Sequence, residues 1–372
     1  MTPPRFGDLS RTSRSCGLEL RMGAFDDHTV PPEALSWSSG IATRPHFHIQ
    51  SDEPLALAVR RVILEQVFHG LQIQHPGRGN SNDRDHGFDQ SVHELRKSIK
   101  RARAVLRLVR SEIGEKRYRH ENTLLRDTAR MWGPTRDAVV LAKLAEKVFP
   151  ELELDDHVKD DIVTTLRIRA EASTRAARLD EQRLTDTAVA LHGFAGRIYA
   201  VPTEGPGSIP DTWDSIEPGI SLLARRVVRR RDKAVAKPTT ERLHAWRRSA
   251  KYLGYLTSLL HVEPSDSDIA RARSQSARNG HGEDPLLELH ELLSQLGSLL
   301  GDDHDLAVLI ETLGRDPLLL PDSVNAAHLF WELTQLRREL QAKAFEVGEK
   351  LGDTKSIVAT ISAAWRGDQS VK

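Results

Sequence analysis

A single cysteine, Cys16, is present among the 372 residues of the chain. An intramolecular disulfide is therefore impossible, and we expect the protein in a reducing, cytoplasmic compartment. No stretch of about 18 consecutive apolar residues occurs, so we expect no membrane-spanning helix. The N-terminus also lacks the apolar core of a secretory signal peptide.

Sustained alternation of apolar and polar residues, the pattern of half-buried strands, is missing along the chain. Aromatic residues make up only 5% of the composition, whereas the helix-favouring Leu, Ala, Arg and Glu are abundant. We therefore predict an all-α fold. A P-loop, a G-x-S-x-G segment and a cysteine-based site are missing too, so the sequence predicts neither an enzyme nor a bound metal or cofactor.

Proline and glycine divide the chain into segments. Residues 1–50 are rich in Pro, Ser, Gly, Thr and His and show little periodicity, so we predict that they are disordered. Residues 201–219 hold four prolines and three glycines and are predicted to link two helical halves, residues 51–200 and 220–366. The predicted helices start near Ser51 and Asp89 and continue over 115–132, 136–148, 154–200, 220–236, 239–261, 285–300, 302–313 and 322–365.

The two halves repeat each other in sequence. HELRKSIKRAR, which starts at His93, matches HAWRRSAKYLG, which starts at His244. Further along, WGPTRDAVVL (132–141) matches LGDDHDLAVL (300–309), with a glycine and an aspartate four residues apart in both. The matched pairs are His93/His244, Arg96/Arg247, Lys97/Arg248, Ser98/Ser249, Lys100/Lys251, Gly133/Gly301 and Asp137/Asp305. This repetition predicts a duplication with two helical bundles related by a pseudo-twofold axis.

Positive charge is concentrated near the two repeats, although the chain has 53 basic and 53 acidic residues. Residues 93–136 carry a net charge of +8 and residues 222–251 a net charge of +9. Helical spacing places the cations on one face, opposite the apolar side chains. The candidate binding residues are His93, Arg96, Lys97, Lys100, Arg101, Arg103 and Arg107 in the first half, and Arg225, Arg229, His244, Arg247, Arg248 and Lys251 in the second. We predict that these faces bind a polyanion.

A charged helix face is more often simply solvated, and this alternative stays open for each stripe alone. The repetition, with a histidine leading both copies, favours a shared function. Asp137 and Asp305 are interpreted as helix caps or salt-bridge partners. A metal-dependent phosphohydrolase that uses His281, His290 and His304 is an alternative, although such sites need ligands from several elements.

The paired H-x-x-R patterns and the two G-x-x-x-D segments resemble the conserved histidine α-helical domain, called CHAD, over roughly residues 52–365. This resemblance implies two helical bundles around a basic central channel. It also implies binding of inorganic polyphosphate, often in bacteria and in some cases on polyphosphate granules. Tyr252 and Gly254 depart from the family pattern, because basic residues are usual at both positions, and a weaker second half is expected.

Nucleic acid is the remaining alternative partner. Sites for single strands usually combine positive charge with stacking aromatic residues. The stripe of residues 93–107 contains no aromatic side chain. The sequence therefore favours a partner that has phosphates and lacks bases.

Overall fold

The computed structural model describes residues 47–50, 53–72, 84–261, 284–320 and 324–369. All regular structure in these ranges is helical, which confirms the all-α prediction. The α-helices are α1 (Leu55–Leu71), α2 (Arg84–Leu108), α3 (Arg110–Ile113), α4 (Glu115–Met131), α5 (Gly133–Val148), α6 (Asp156–Arg178), α7 (Glu181–Tyr199), α8 (Trp213–Ala236), α9 (Thr240–Leu260), α10 (Pro285–Arg315), α11 (Ala326–Lys350) and α12 (Thr354–Gln369). No helix in the described part of the chain combines the length and apolarity needed to cross a membrane.

Several predicted boundaries are wrong, for local reasons. The helix predicted over 154–200 is interrupted, because Asp180 accepts a hydrogen bond from the backbone N–H of Arg183 and caps α7. The helix predicted over 322–365 ends at Lys350 and restarts at Thr354 after Gly352, whose φ is +70°. Conversely, the helices predicted over 285–300 and 302–313 form the single helix α10, with Gly301 inside it.

The predicted linker is shorter than residues 201–219. Helix α8 begins at Trp213 and accommodates Pro218 in its interior. Ile216 and Ile220 are fully buried, so packing outweighs the low helix propensity of this segment. The residues predicted to be disordered also extend less far than position 50, because Phe47 and Ile49 are buried. Residues 1–46 lie outside the described part of the chain.

The core consists of two clusters, and each draws on both sequence halves. The larger cluster includes side chains of α1, α2, α8 and α9 together with the first half of α10. The smaller cluster joins α5 and α6 to the second half of α10 and the start of α11. Helix α2 packs against α9, and α5 packs against α10. The repeated motifs of the two halves are therefore brought to the junction between the clusters.

Candidate functional site

The site is built on α2 and α9, which bury apolar faces and turn basic faces toward each other. Helix α2 buries Val92, Leu95, Ile99, Ala102 and Leu106 in the core, and α9 buries Leu243, Trp246, Ala250 and Leu253. The opposite faces bring Lys100 into the electrostatic neighbourhood of Arg96, Arg136, Arg247 and Lys251. We call these five residues the central cluster.

The electrostatics of Lys100 show what kind of space the central cluster lines. Lys100 is exposed by surface area. Its pKa is nevertheless lowered to about 8, first by desolvation and then by the charges of Arg96, Arg247, Lys251 and Arg136. A side chain that reaches water while protein surrounds it lies in a concave site. An anion in that site would relieve the repulsion between the cations.

The glycine and aspartate motifs shape this concave site in the same way in both halves. A Cβ atom on Gly133 would lie 3.6 Å from Nη1 of Arg96, and one on Gly301 would lie 3.0 Å from Nη2 of Arg247. The missing side chains therefore leave room for the two arginines. Asp137 is an electrostatic neighbour of Arg96, and Asp305 is one of Arg247.

The interpretation of the two aspartates as helix caps is wrong. Helix α5 starts at Gly133, and the N-cap residue Trp132 makes no side-chain capping bond. Asp137 lies more than one turn further on, and Asp305 lies deep within α10. Burial raises the pKa of Asp305, opposed by the neighbouring Arg247. Both carboxylates belong to the edge of the central cluster.

His244 of α9 faces a second histidine, His304 of α10. Their ring centroids are 4.3 Å apart and the rings are tilted by 48°. Nδ1 of each ring is buried and has no hydrogen-bond partner in the described structure. Burial, followed by the His304 ring and the adjacent cations, lowers the pKa of His244 to about 4. Burial also lowers the pKa of His304 and of His93, which lies beside Arg136.

A second group of cations continues from the central cluster along α2 to α8. Arg103 and Arg107 lie on the ring of Tyr252, with their Cζ atoms 5.9 and 3.8 Å from its centroid. Arg226 is an electrostatic neighbour of Arg107, and Arg230 is one of Arg226 and Arg248. We call Arg103, Arg107, Arg226, Arg230 and Arg248 the arginine arm.

These cations make no direct ion pairs with carboxylates in the described part of the chain. Within the described residues, no ion pair shorter than 4.0 Å involves any residue of the central cluster or the arginine arm. Arginines elsewhere are paired, for example Arg197 with Glu121 at 2.7 Å and Arg337 with Asp303 at 3.0 Å. The site is therefore a concave surface in which cations outnumber the nearby carboxylates of Asp137, Asp302 and Asp305 and form no direct ion pair with them.

Comparison with known proteins agrees with this architecture. The CHAD domain family model matches residues 77–313. The chain belongs to the CHAD domain family. The crystal structure of the CHAD domain from the plant Ricinus communis matches with a TM-score of 0.50 and 16% identity, covering 87% of this chain and 98% of that one. This likeness supports the helical fold. No curated protein matches the chain.

The predicted site residues of this CHAD domain occupy different surroundings. Arg96, Lys100, His244, Arg247 and Lys251 come together as described, and Arg103 and Arg248 belong to the arginine arm. His93 is half-buried beside Arg136. Lys97 pairs with Glu94 at 3.6 Å. Arg101 lies instead over Phe47, with its Cζ 4.8 Å from the ring centroid.

Arg107, Arg225 and Arg229 are all predicted to lie on the basic faces, and the structure places them differently. Arg107 is 9% exposed, so its predicted place on an open stripe is wrong. Arg225 and Arg229 are exposed, whereas their neighbours Arg226 and Arg230 are half-buried and turn toward the arm. The helical period alone does not show which cations of a five-arginine segment face the site.

Sequence reasoning did not select Arg136 or Asn122, and it considered His304 only for a metal. Arg136 and His304 occupy matched repeat positions directly before Asp137 and Asp305, and this match was the available signal. No group of three or more metal-ligating side chains occurs among the described residues. His290 contacts Thr257 at 3.0 Å rather than His304, and His281 lies outside the described residues.

Proposed function

We propose that this CHAD domain binds inorganic polyphosphate without turning it over. The observation that carries the proposal is the concave cluster of Arg96, Lys100, Arg136, Arg247 and Lys251, which lacks ion-pair partners in the described structure. A linear polyanion supplies closely spaced charge that these cations can share. Binding releases counterions, so the affinity falls steeply as salt rises.

The surroundings of the aromatic residues favour a partner without bases. Arg103 and Arg107 cover the ring of Tyr252, and Arg110 lies over the ring of Tyr118, with its Cζ 4.5 Å from the centroid. Tyr118 is itself buried. A nucleic-acid site that works by stacking needs ring faces that are open to bases. The faces of these rings are instead covered by arginine side chains.

The location follows from the proposed ligand. For a polyphosphate-binding protein with one cysteine we propose a location in the cytoplasm, with association to polyphosphate granules. A second candidate function, a metal-dependent phosphohydrolase, has no specific observation in its favour. Phosphate release in the presence of divalent metal ions, abolished by Asp305→Ala with the fold intact, would establish it in place of simple binding.

The test is a titration with long-chain polyphosphate, single-stranded RNA and duplex DNA at equal phosphate concentration and at several salt concentrations. We expect polyphosphate to bind most tightly, with an affinity that falls as salt increases. Equal binding of RNA would contradict the choice of partner. An affinity that hardly changes with salt would contradict the electrostatic mechanism.

A further inference from the structure

Tyr252 stands at a position where the family pattern has a basic residue. Its ring supports two arginines of the other half. In the repeat, Tyr252 is the counterpart of Arg101. Its ring lies against two arginines of the other half, closest to Arg107, whose Cζ is 3.8 Å from the ring centroid. Arg107 is buried, so it is held between the ring and the body of the protein. The face of an aromatic ring attracts a guanidinium group and, because the ring is uncharged, it does not repel the adjacent cations.

Asn122 of α4 completes the support. Its Oδ1 atom accepts hydrogen bonds from Nε of Arg103 and from Nη2 of Arg107, both at 3.0 Å. Nη1 of Arg107 donates to the backbone oxygen of Arg103 at 2.6 Å. Two like charges are thereby fixed side by side. The amide oxygen accepts both bonds without neutralising either charge, which the carboxylate of an aspartate would do.

This arrangement leaves the outer end of Arg103 available. Its Nε atom donates to Asn122, whereas its Nη1 and Nη2 atoms donate no hydrogen bond within the described part of the chain. Arg103 is half-buried, unlike Arg107. Two parallel N–H groups of a guanidinium suit two oxygens of one phosphate.

We infer that Tyr252 and Asn122 are positioning residues that hold Arg103, both directly and through Arg107, with its terminal nitrogens directed at polyphosphate. The inference rests on the proposed function, since it assigns roles within the same binding surface. The inference also gives a role to the tyrosine at a position where the family usually has a basic residue. Tyr252 adds no charge of its own but supports two arginines of the other half.

The decisive variants separate support from charge. Tyr252→Lys adds the positive charge usual in the family but removes the ring and places a cation beside Arg103 and Arg107, so we expect weaker polyphosphate binding, by about fivefold. Tyr252→Phe keeps the ring and is the matched control, with affinity expected within about twofold of the wild type. Tighter binding by Tyr252→Lys would overturn the inference.

Asn122→Asp provides a readout that a purely structural role would not give. A carboxylate at this position strengthens the hydrogen bonds to Arg103 and Arg107, so we expect a higher melting temperature. It also neutralises the pair, so we expect about tenfold weaker polyphosphate binding. Unchanged affinity together with the higher melting temperature would show that Asn122 is structural only.

A double-mutant cycle tests whether both residues act through Arg103. Affinity for long-chain polyphosphate is measured for Asn122→Asp and Tyr252→Lys in the wild type and in Arg103→Ala, with thermal melts as the folding control. We expect the losses to be clearly smaller in the Arg103→Ala background. Full additivity would overturn the inference while leaving polyphosphate binding intact. Absence of binding by the wild type would overturn the proposed function and this inference with it.

Discussion

The two copies of the basic helix, α2 and α9, agree at one end and differ at the other. At their common end, Arg96 and Arg247 each lie beside a glycine of the matched motif, and an aspartate follows one turn later. Toward their C-terminal ends, α2 carries Arg103 and Arg107, whereas α9 carries Tyr252 and Gly254. The second copy has lost charge there, but its ring contacts the arginines of the first. The copies therefore share one site and do not form two independent ones.

The largest expected effect tests this sharing. The double variants Arg96→Ala with Lys100→Ala and Arg247→Ala with Lys251→Ala should each weaken polyphosphate binding by about 100-fold, because two charge-assisted contacts are lost in a partly solvated site. Sequence alone predicts a larger loss from the first pair. Since all four side chains belong to one cluster, we expect similar losses.

Polyphosphate affinity of the two double variants decides between these expectations. Thermal melts serve as the control, and neither variant should unfold, since the apolar faces of α2 and α9 are untouched. A clearly larger loss from the Arg96 and Lys100 pair would restore the unequal halves that the sequence predicts. A larger loss from the Arg247 and Lys251 pair would place the main site on α9.

The sequence predicted the helices, the repeat and most of the cations of the central cluster, because these depend on local periodicity and on matched spacing. It could not predict that Arg107 is buried or that Arg226 turns inward, because both depend on how α8 crosses the end of α2. The roles of Asn122 and His304 depend on contacts between α2 and α4 and between α9 and α10. Such contacts leave no spacing signal within a single helix.

The helix caps assigned to Asp137 and Asp305 illustrate the same limit. A glycine four residues before an aspartate is a plausible helix start, and α5 does begin at Gly133. In α10 the same pattern lies within a continuous helix. The glycine of the motif therefore lets an arginine side chain approach the helix backbone. This role becomes visible only when α9 is packed on α10.

A smaller effect concerns the histidine pair, which has no counterpart of two facing rings in the first half. The groups around His244 and His304 are Lys100 of α2, Asp137 of α5, Arg247 and Arg248 of α9, and Asp303 and Asp305 of α10. Bound phosphate should raise the pKa of both imidazoles above the lowered values of the free protein, so we expect the complex to take up protons. Polyphosphate affinity should therefore rise as the pH falls below the ordinary histidine value of about 6.5 toward the lowered pKa of His244, about 4.

The variant with His244→Gln and His304→Gln should show less of this pH dependence, measured by titration calorimetry in buffers of different ionisation enthalpy. An affinity that increases with pH would contradict the assignment.

The stability of the protein without ligand should change with pH in the opposite direction to the affinity. The pKa of His244 is depressed to about 4 in the folded protein, so its contribution to stability is present above the ordinary value near 6.5 and is lost as the pH falls toward 4. The melting temperature should fall over this range, and less so in His244→Gln.

The smallest expected effect distinguishes the two glycines that the repeat matches. In Gly301→Ala, the new Cβ would lie 3.0 Å from Nη2 and 3.3 Å from Nε of Arg247, so the guanidinium must shift by a few tenths of an ångström. In Gly133→Ala, the new Cβ would lie 3.6 Å from Nη1 of Arg96, an ordinary contact distance. We expect about threefold weaker polyphosphate binding for Gly301→Ala and no change for Gly133→Ala, because only the first displaces a charged end.

Gly301 lies inside α10, where alanine is favoured over glycine by up to about 1 kcal/mol, so the weaker-binding variant should melt at the same or a higher temperature. Equal affinity of the two alanine variants would mean that Arg247 adjusts without cost and that the closer approach at Gly301 has no part in binding.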